Sequence, residues 1–233
     1  MSHRSLTFTF AFALMIPAVA HPARPMITDD ARTVDAHTCQ VEAWSRTNRG
    51  SREQWMLPAC TLTGNLEVTL GGSVTHAFGG SSTSDVILQG KILLKPLESN
   101  GHGLGFAVGY TAHPTDHANR PLGDPYFNLP ASFSYADDRV VVHLNGGARH
   151  VRGEALRATW GIGSEIMIAS RVYLIAETFG ESGGNTAFQA GLRLWLIPNR
   201  VQVDTTYGNQ FGHPPDSRWF SIGLRLLSRA FLR

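Results

Sequence analysis

Charged side chains that could bind or select a solute recur in this chain within runs of apolar residues. Their signs are mixed, so on one shared surface they would either pair with one another or leave a charged constriction that selects solutes. The sequence does not show which charges are paired, and both interpretations stay open. The eight candidates for such a polar wall are Glu67, Lys91, Arg149, Glu165, Glu177, Arg193, Asp204 and Arg225.

Residues that could support catalysis are sparse. His143 and Asn145 share a face of one predicted strand, and a histidine base beside a serine nucleophile is what hydrolysis would need. No serine alternates with His143 along that strand, and the chain lacks a Gly-x-Ser-x-Gly elbow, a P-loop and a dinucleotide-binding fingerprint. The sequence therefore predicts a protein that is not an enzyme, with no catalytic residues and no cofactor.

A metal site is not predicted either. His113, Asp116, His117 and Asp124 lie in and beside one loop, but their spacing matches no strong zinc or calcium pattern. The loop itself, 114–125, is the longest predicted connection. It is expected either to cap one end of the fold or to fold inward as a gate.

The two cysteines lie on either side of a turn-like segment, Asn48-Arg49-Gly50-Ser51. If the flanking segments pair as antiparallel strands about this turn, Cys39 and Cys60 fall opposite or nearly opposite one another. An oxidising compartment would then favour a disulfide between them, and two free buried thiols are the alternative.

The N-terminus has the features of an export signal. Residues 1–20 contain Arg4, an apolar run over 6–19, and the small residues Ala18 and Ala20 before a cleavage position. The run is shorter than the roughly 20 apolar residues that a helix needs to span a bilayer. A cleaved signal peptide over residues 1–20 is therefore predicted.

Persistent alternation of apolar and polar residues defines the elements that must position these side chains. Leu192, Leu194 and Leu196, for example, share one face of a run whose other face carries Arg193 and Ile197. Period two over about ten residues is typical of a strand. The twelve predicted strands are 39–46, 53–60, 66–76, 85–95, 103–113, 126–135, 140–150, 157–168, 172–180, 186–197, 201–207 and 218–227.

These strands favour a membrane barrel over a soluble sandwich. Most are longer than the roughly 5 to 6 residues of an average globular strand and close to the roughly 9 to 11 residues of a tilted membrane strand. Their less apolar face carries small residues, such as Gly161 and Gly163, which suit a crowded lumen better than a core. Successive connections between the predicted strands would lie at opposite ends of a barrel, and those at one end are on average shorter than those at the other. Outer-membrane barrels have the same difference between periplasmic turns and external loops. The predicted fold class is an all-β, transmembrane, antiparallel up-and-down β-barrel over 39–227, with the leucines of the example facing lipid.

The ends of the mature chain lie outside this pattern. Residues 21–38 show no convincing period and are predicted to form an irregular N-terminal arm, and 228–233 form a short C-terminal tail. Asp29 and Asp30 could neutralise lumen arginines if the arm plugs the barrel, or they could lie in periplasmic water. Aromatic residues near strand ends could join interfacial girdles, although some of them must face inward. They are Trp44, Trp55, Tyr110, Tyr126, Trp195, Tyr207 and Trp219.

Four segments carry a resemblance to a known family: RPMITDDART, CQVEAW, IAETFG and QAGLRLWLIPNRVQVDTTYGN. Together they resemble proteobacterial outer-membrane β-barrel proteins grouped as transporters of the phenol-degradation, meta-pathway type, in which a similar Pro-x-x-Thr-Asp-Asp arm precedes the barrel. One departure is the C-terminus, because outer-membrane strands commonly end in an aromatic residue and this chain ends in Arg233, two residues after Phe231. The alternating Phe220 and Ile222 of the last strand could serve as an internal assembly signal.

The resemblance implies a bacterial outer-membrane location and a channel or transporter for small solutes, with hydrophobic or aromatic solutes suggested by the family alone. The expected partners are outer-membrane lipid, the outer-membrane assembly machinery and an unknown small-molecule solute. A net charge of only +2 argues against nucleic acid. Two alternatives are a structural or surface-binding barrel without transport and, less favoured, a lipid-modifying barrel enzyme.

Overall fold

The computed structural model describes residues 26–115, 123–151, 155–212 and 217–230. The predicted signal peptide and the first residues of the predicted arm lie outside these ranges, as do Asp116 and His117. Within the described residues there is no helix of the length and hydropathy needed to cross a bilayer.

Twelve antiparallel strands form one closed barrel, in which each strand pairs with its neighbours in sequence and β1 pairs with β12. The predicted fold class is confirmed, and each observed strand overlaps one predicted strand. The strands are β1 Thr38–Asn48, β2 Ser51–Thr63, β3 Leu66–Ala77, β4 Ser82–Lys95, β5 His102–Ala112, β6 Asp124–Tyr135, β7 Val140–Arg149, β8 Arg157–Ala169, β9 Val172–Glu181, β10 Ala187–Ile197, β11 Val201–Gln210 and β12 Trp219–Leu227.

The outside of the barrel is apolar. Leu192, Leu194 and Leu196 of β10 are 48%, 39% and 52% exposed, whereas Arg193 between them is 2% exposed. The alternation predicted for this strand ends at its last residues, because the pairing of β10 with β11 shifts between Trp195 and Ile197 and leaves Ile197 54% exposed. Soluble monomers rarely expose an apolar surface that continues around the molecule.

Connections differ in length between the two ends of the barrel. The connections at the end where β1 begins have two to six residues, and those at the opposite end have two to eleven. We call these the short-turn end and the long-loop end. The same asymmetry separates periplasmic turns from external loops in outer-membrane barrels.

A disulfide joins Cys39 of β1 to Cys60 of β2, as the sequence predicted. The two residues are direct partners in the register of these strands, with their Cα atoms 4.0 Å apart. The bond therefore cross-links the start of β1 to the end of β2, close to the point where the preceding segment enters the sheet.

Two tryptophans expected in an aromatic girdle instead lie inside the barrel. Trp44 and Trp55 are buried, and their rings stack with centroids 5.4 Å apart. They pack with Leu57 and Ile87 in an apolar cluster. The girdle prediction is wrong for this pair, because their positions in the alternation place both side chains on the inner face.

Candidate functional site

The segment that precedes β1 lies inside the barrel. We call residues 26–37 the arm. It leaves β1 at the short-turn end and contacts the inner faces of β3, β4, β6, β7, β8 and β9. Four of its apolar residues are buried: Met26, Ile27, Ala31 and Val34. The lumen is therefore filled across its width by the chain's own N-terminal segment.

Glu177 of β9 holds the inner part of the arm. Its two carboxylate oxygens accept hydrogen bonds from consecutive backbone N–H groups, at 2.7 Å from Ile27 and 2.6 Å from Thr28. The side-chain amide of Gln189 donates a third hydrogen bond to the same carboxylate. An irregular segment needs such partners because it has no neighbouring strand for its backbone groups.

Other wall side chains bind the backbone further along the arm. Asn145 of β7 accepts a hydrogen bond from the N–H of Asp29 and donates one to its carbonyl, both at 2.8 Å. Ser132 of β6 accepts from the N–H of Ala31 at 2.8 Å, and Glu67 of β3 accepts from the N–H of Val34 at 2.9 Å. The arm is thus bound at its backbone by side chains of the wall.

Ion pairs add to these hydrogen bonds. Lys91 of β4 is buried, and its Nζ lies 2.8 Å from Oδ1 of Asp29 and 3.5 Å from Oδ1 of Asp30. Arg32 of the arm lies 3.7 Å from Glu165 of β8. The structure therefore places Asp29 and Asp30 in the lumen, with a lysine as their cation where the sequence had suggested arginines.

Two glycines of β8 make room for the arm. A Cβ at Gly161 would lie 2.7 Å from Oγ1 and 3.5 Å from Cβ of Thr28, and one at Gly163 would lie 2.9 Å from Cε of Met26. Contacts under 3.0 Å force a neighbour to move. The small residues of this face are thus explained by a segment packed against them.

The remaining candidates of the polar wall are on the inner face and paired. Arg193 lies 2.8 Å from both Glu165 and Asp204, and Arg149 lies 2.7 Å from Glu181. Arg225 lies 3.3 Å from Glu42. All eight candidates have a hydrogen-bonding or ionic partner. Glu67 and Glu177 accept backbone N–H groups of the arm, Glu177 also accepts the side-chain amide of Gln189, and the other six bind side chains of the wall or the arm. The described contacts form a braced network.

Several residues of this network were not among the sequence candidates. Glu42 and Gln40 are buried partners of Arg225, and they could have been found because they alternate with Trp44 along β1. Glu181 could not be assigned, because it ends its strand and its pairing with Arg149 joins strands that are not adjacent in the sheet.

A serine, a histidine and a carboxylate do meet, on three adjacent strands. Ser132 Oγ lies 2.8 Å from His143 Nδ1, and His143 Nε2 lies 3.2 Å from Glu165 Oε1. This order is that of hydrolase triads, but Ser132 is fully buried, its oxygen already accepts the N–H of Ala31, and Glu165 pairs with Arg193. An oxyanion site would need donors beside the serine, and the backbone N–H groups of strands are used in strand pairing. The arrangement braces the wall under the arm.

Two small cavities border the arm. The one towards the long-loop end has a volume of about 70 Å³ and is lined in part by Ile27, Thr28, Tyr126, Arg149 and Phe179. The other, towards the short-turn end, measures about 20 Å³ and is lined in part by the aspartates of the arm and Lys91. Since a water molecule needs roughly 10 to 15 Å³ of such volume, these cavities have room for only a few waters.

His113 joins the longest loop to the barrel rim. It follows β5, and its ring nitrogens lie 2.6 Å from Asp85 of β4 and 3.3 Å from Asp124 of β6. The hydrogen bond to Asp85, more than the opposing effect of partial burial, raises the pKa of His113 above the ordinary histidine value. Among the residues that the structure describes, no group of three or more His, Cys, Asp or Glu side chains has an arrangement that could hold a metal ion.

Comparison with known proteins shows both a family and a fold. The model of the family described as Uncharacterised conserved protein UCP029691 matches residues 10–227. No curated protein matches the sequence.

Solved structures of outer-membrane barrels share the fold. The KdgM porin is 10% identical with a TM-score of 0.62, over 80% of this chain and 98% of that chain. The KdgM porin in complex with disordered oligogalacturonate is 9% identical with a TM-score of 0.60, over 80% and 98%. The COG4313 outer membrane channel from Pseudomonas putida F1 is 15% identical with a TM-score of 0.59, over 85% and 98%. At these identities the likeness is one of architecture.

Proposed function

The chain belongs to the family of Uncharacterised conserved protein UCP029691, and from its closed barrel, its apolar outer face and its likeness to solved outer-membrane channels we propose that it is a bacterial outer-membrane channel for small solutes whose lumen is closed by the arm. The apolar outer face and the uneven connections support the location. Outer-membrane lipid and the barrel assembly machinery are then its partners, and Phe220 and Ile222, both on the outer face, suit an internal assembly signal.

The observation that carries the proposal is the way in which the arm is bound. It crosses the lumen without joining the sheet, and side chains of six strands hold it. A segment held in this way can leave while all twelve strands stay paired. Asp29 and Asp30 then act as plug residues, and passage of a solute requires that the arm moves aside.

The lining favours polar solutes. Inward side chains of the wall are mostly polar, and they include charged pairs such as Arg193 with Asp204 and Arg225 with Glu42. Hydrophobic or aromatic solutes, as the phenol-degradation, meta-pathway resemblance suggests, are a narrower form of the proposal. The stacked Trp44 and Trp55 are the inner feature that would favour them.

A barrel without transport is the second candidate, and the density of the filled lumen favours it. The cavities of about 70 and 20 Å³ beside the arm are too small for a sugar or an amino acid. The arm would then be a permanent part of the core, and the protein a structural or surface-binding barrel. A lipid-modifying enzyme has no comparable support, because Ser132 is completely buried.

A reversible covalent lock on the arm separates the two candidates. The Cβ position at Gly161 lies 3.5 Å from Cβ of Thr28, within the range of roughly 3.5 to 4.5 Å that a disulfide requires. We expect the refolded Thr28→Cys, Gly161→Cys double variant to be silent in planar bilayers when oxidised and to conduct after reduction. Wild type treated with the same reductant is one control, because the reductant also acts on the native disulfide between Cys39 and Cys60. The Thr28→Cys single variant is the other control, because it cannot form the new bond to position 161.

The outcomes differ for each candidate. Equal conductance of the oxidised and reduced double variant would show that the arm does not obstruct the path. Silence of wild type, of the reduced variant and of a chain lacking residues 21–37, with heat-modifiable folding confirmed for each, would exclude a channel and leave the structural barrel.

A further inference from the structure

The arm contacts define a site for a particular class of solute. We infer that the solute site of the barrel is the part of the lumen that the arm now fills, and that it binds a small cation rich in N–H donors, of the guanidinium or amine type. This inference rests on the proposed channel function and names its solute class. The arm occupies the site as a stand-in for the solute.

Glu177 is the centre of this site. Two consecutive backbone N–H groups, of Ile27 and Thr28, point at its two oxygens at 2.7 and 2.6 Å. A guanidinium presents the same fork of two parallel N–H donors to a carboxylate, and it adds a positive charge. The third described donor, the amide of Gln189, comes from the wall and would remain when the arm leaves.

The other arm contacts are also mainly with acceptors of the wall. Glu67 accepts an N–H of Val34, Glu165 lies close to the guanidinium of Arg32, and Ser132 accepts an N–H of Ala31. Among the described contacts of the wall with the arm, Lys91 is the one cation. The wall therefore receives mostly hydrogen-bond donors from its present occupant.

Departure of the arm leaves these carboxylates in unequal situations. Lys91 lies directly opposite Glu67 in the register of β3 and β4, so an opposite charge stays on the neighbouring strand for each of them. Glu165 keeps Arg193 at 2.8 Å. The described partners of Glu177 are the arm and Gln189, so its charge would be held without a cation. A buried carboxylate without a cation is costly, and a cationic solute relieves that cost.

A cavity beside the arm reaches the two arm residues that Glu177 binds. The cavity of about 70 Å³ reaches Ile27 and Thr28 from the long-loop end. Tyr126 and Phe179 line it, and aromatic faces attract cations such as guanidinium. A solute entering from that end meets these rings before it meets the carboxylate.

Arginine and citrulline form the matched pair that tests the inference, because they differ in charge at one group and are nearly equal in size. We would measure their uptake, with glutamate and arabinose in parallel, into proteoliposomes that contain the full mature chain. Wild type should admit arginine about tenfold faster than citrulline, the ratio expected for one hydrogen-bonded charge. Glu177→Gln should bring that ratio close to one, and Glu98→Gln, at an exposed turn, should leave it unchanged.

Each contrary result has a distinct meaning. If arabinose enters and the arginine ratio of wild type is close to one, the solute class is wrong while the channel stands. Faster uptake of glutamate than of arginine would show that Lys91, and not Glu177, selects the solute, and it would overturn the inference. If no solute enters, and Gly161→Leu, which should displace the arm, also admits none, the channel proposal itself has failed. If Glu177→Gln does not fold, Glu177→Asp is the variant to measure. Because it keeps the carboxylate, it should still admit arginine faster than citrulline, as wild type does. Equal uptake of the two solutes by this variant would contradict the inference.

Discussion

Lys91 and Asp29 form an ion pair in the interior of the barrel, with 2.8 Å between Nζ and Oδ1 and Lys91 only 3% exposed. Lys91 belongs to the wall and Asp29 to the arm, so the pair connects two parts of the chain that have no strand pairing between them. Asp30 shares the same ammonium group at 3.5 Å. Lys91 is therefore the wall cation of both aspartates in the arm.

Replacing this lysine should loosen the arm. Lys91→Met leaves two aspartates without their wall cation, and breaking a buried pair costs about 3 kcal/mol, or roughly a hundredfold in the ratio of closed to open states. We expect a higher open probability in single-channel recordings. Lys95→Met, on the same strand but at the exposed rim, is the matched control, and equal behaviour of the two variants would show that the pair does not hold the arm.

Added bulk at Gly161 should expel the arm by contact alone. A Cβ there lies 2.7 Å from Oγ1 of Thr28, and a leucine extends further into the same space. Gly161→Leu should conduct more than wild type and should lose protection of the Ile27 and Thr28 amides in hydrogen exchange. Gly146→Leu is the control, since a Cβ at Gly146 meets nothing within 4 Å. Unchanged amide protection in the Gly161 variant would mean that the arm adapts in place.

The disulfide between Cys39 and Cys60 should stabilise the barrel. It closes a hairpin with a sequence separation of 21 residues, for which the loss of the cross-link costs about 2 to 4 kcal/mol. The Cys39→Ser, Cys60→Ser double variant should therefore unfold at a lower urea concentration than wild type. Unfolding is measured by the change in gel mobility that distinguishes the folded barrel from the unfolded chain. Because the register of β1 and β2 does not depend on the bond, we expect the variant still to fold, and an inability to fold would assign the bond a role in assembly.

His113 should make the longest loop sensitive to pH. Its pKa is raised in the folded chain, chiefly by the hydrogen bond to Asp85. The stabilisation by protonated His113 is fully present below the ordinary histidine value of 6.5 and is lost as the pH rises through the higher folded value. Proteolysis within 113–123 should therefore accelerate with rising pH in wild type.

The control for this effect is His113→Asn, which keeps a hydrogen-bonding side chain and removes the titration. Its cleavage rate should not follow that pH change once the intrinsic dependence of the protease is subtracted. A folded imidazole titration below 6.5 in NMR would contradict the direction of the shift.

The barrel could be predicted because its signal is local. Each strand carries the alternation in about ten consecutive residues, so the faces of Leu192 and Arg193 follow from their own neighbours. The partnership of Cys39 with Cys60 follows from one short turn between adjacent strands. These features need no knowledge of distant segments.

The site could be predicted only in part. The alternation marks which charged residues point inward, but Arg149 pairs with Glu181 of β9, which lies two strands away in the sheet. Ser132 meets His143 from the adjacent strand, and a search along the strand of His143 could not find it. Pairings of this kind depend on the curvature that brings inner side chains together across a closed sheet.

The sequence by itself determined the closed sheet of twelve strands, the apolar outer face, the polar inner face and the disulfide. Only the tertiary structure decided the place of the arm. Residues 26–37 have no period, and their backbone partners are far away in the sequence, as for Ile27 and Glu177, which are 150 positions apart. Such contacts join the arm to side chains that the closed barrel brings together from six strands, and therefore no local pattern can encode them.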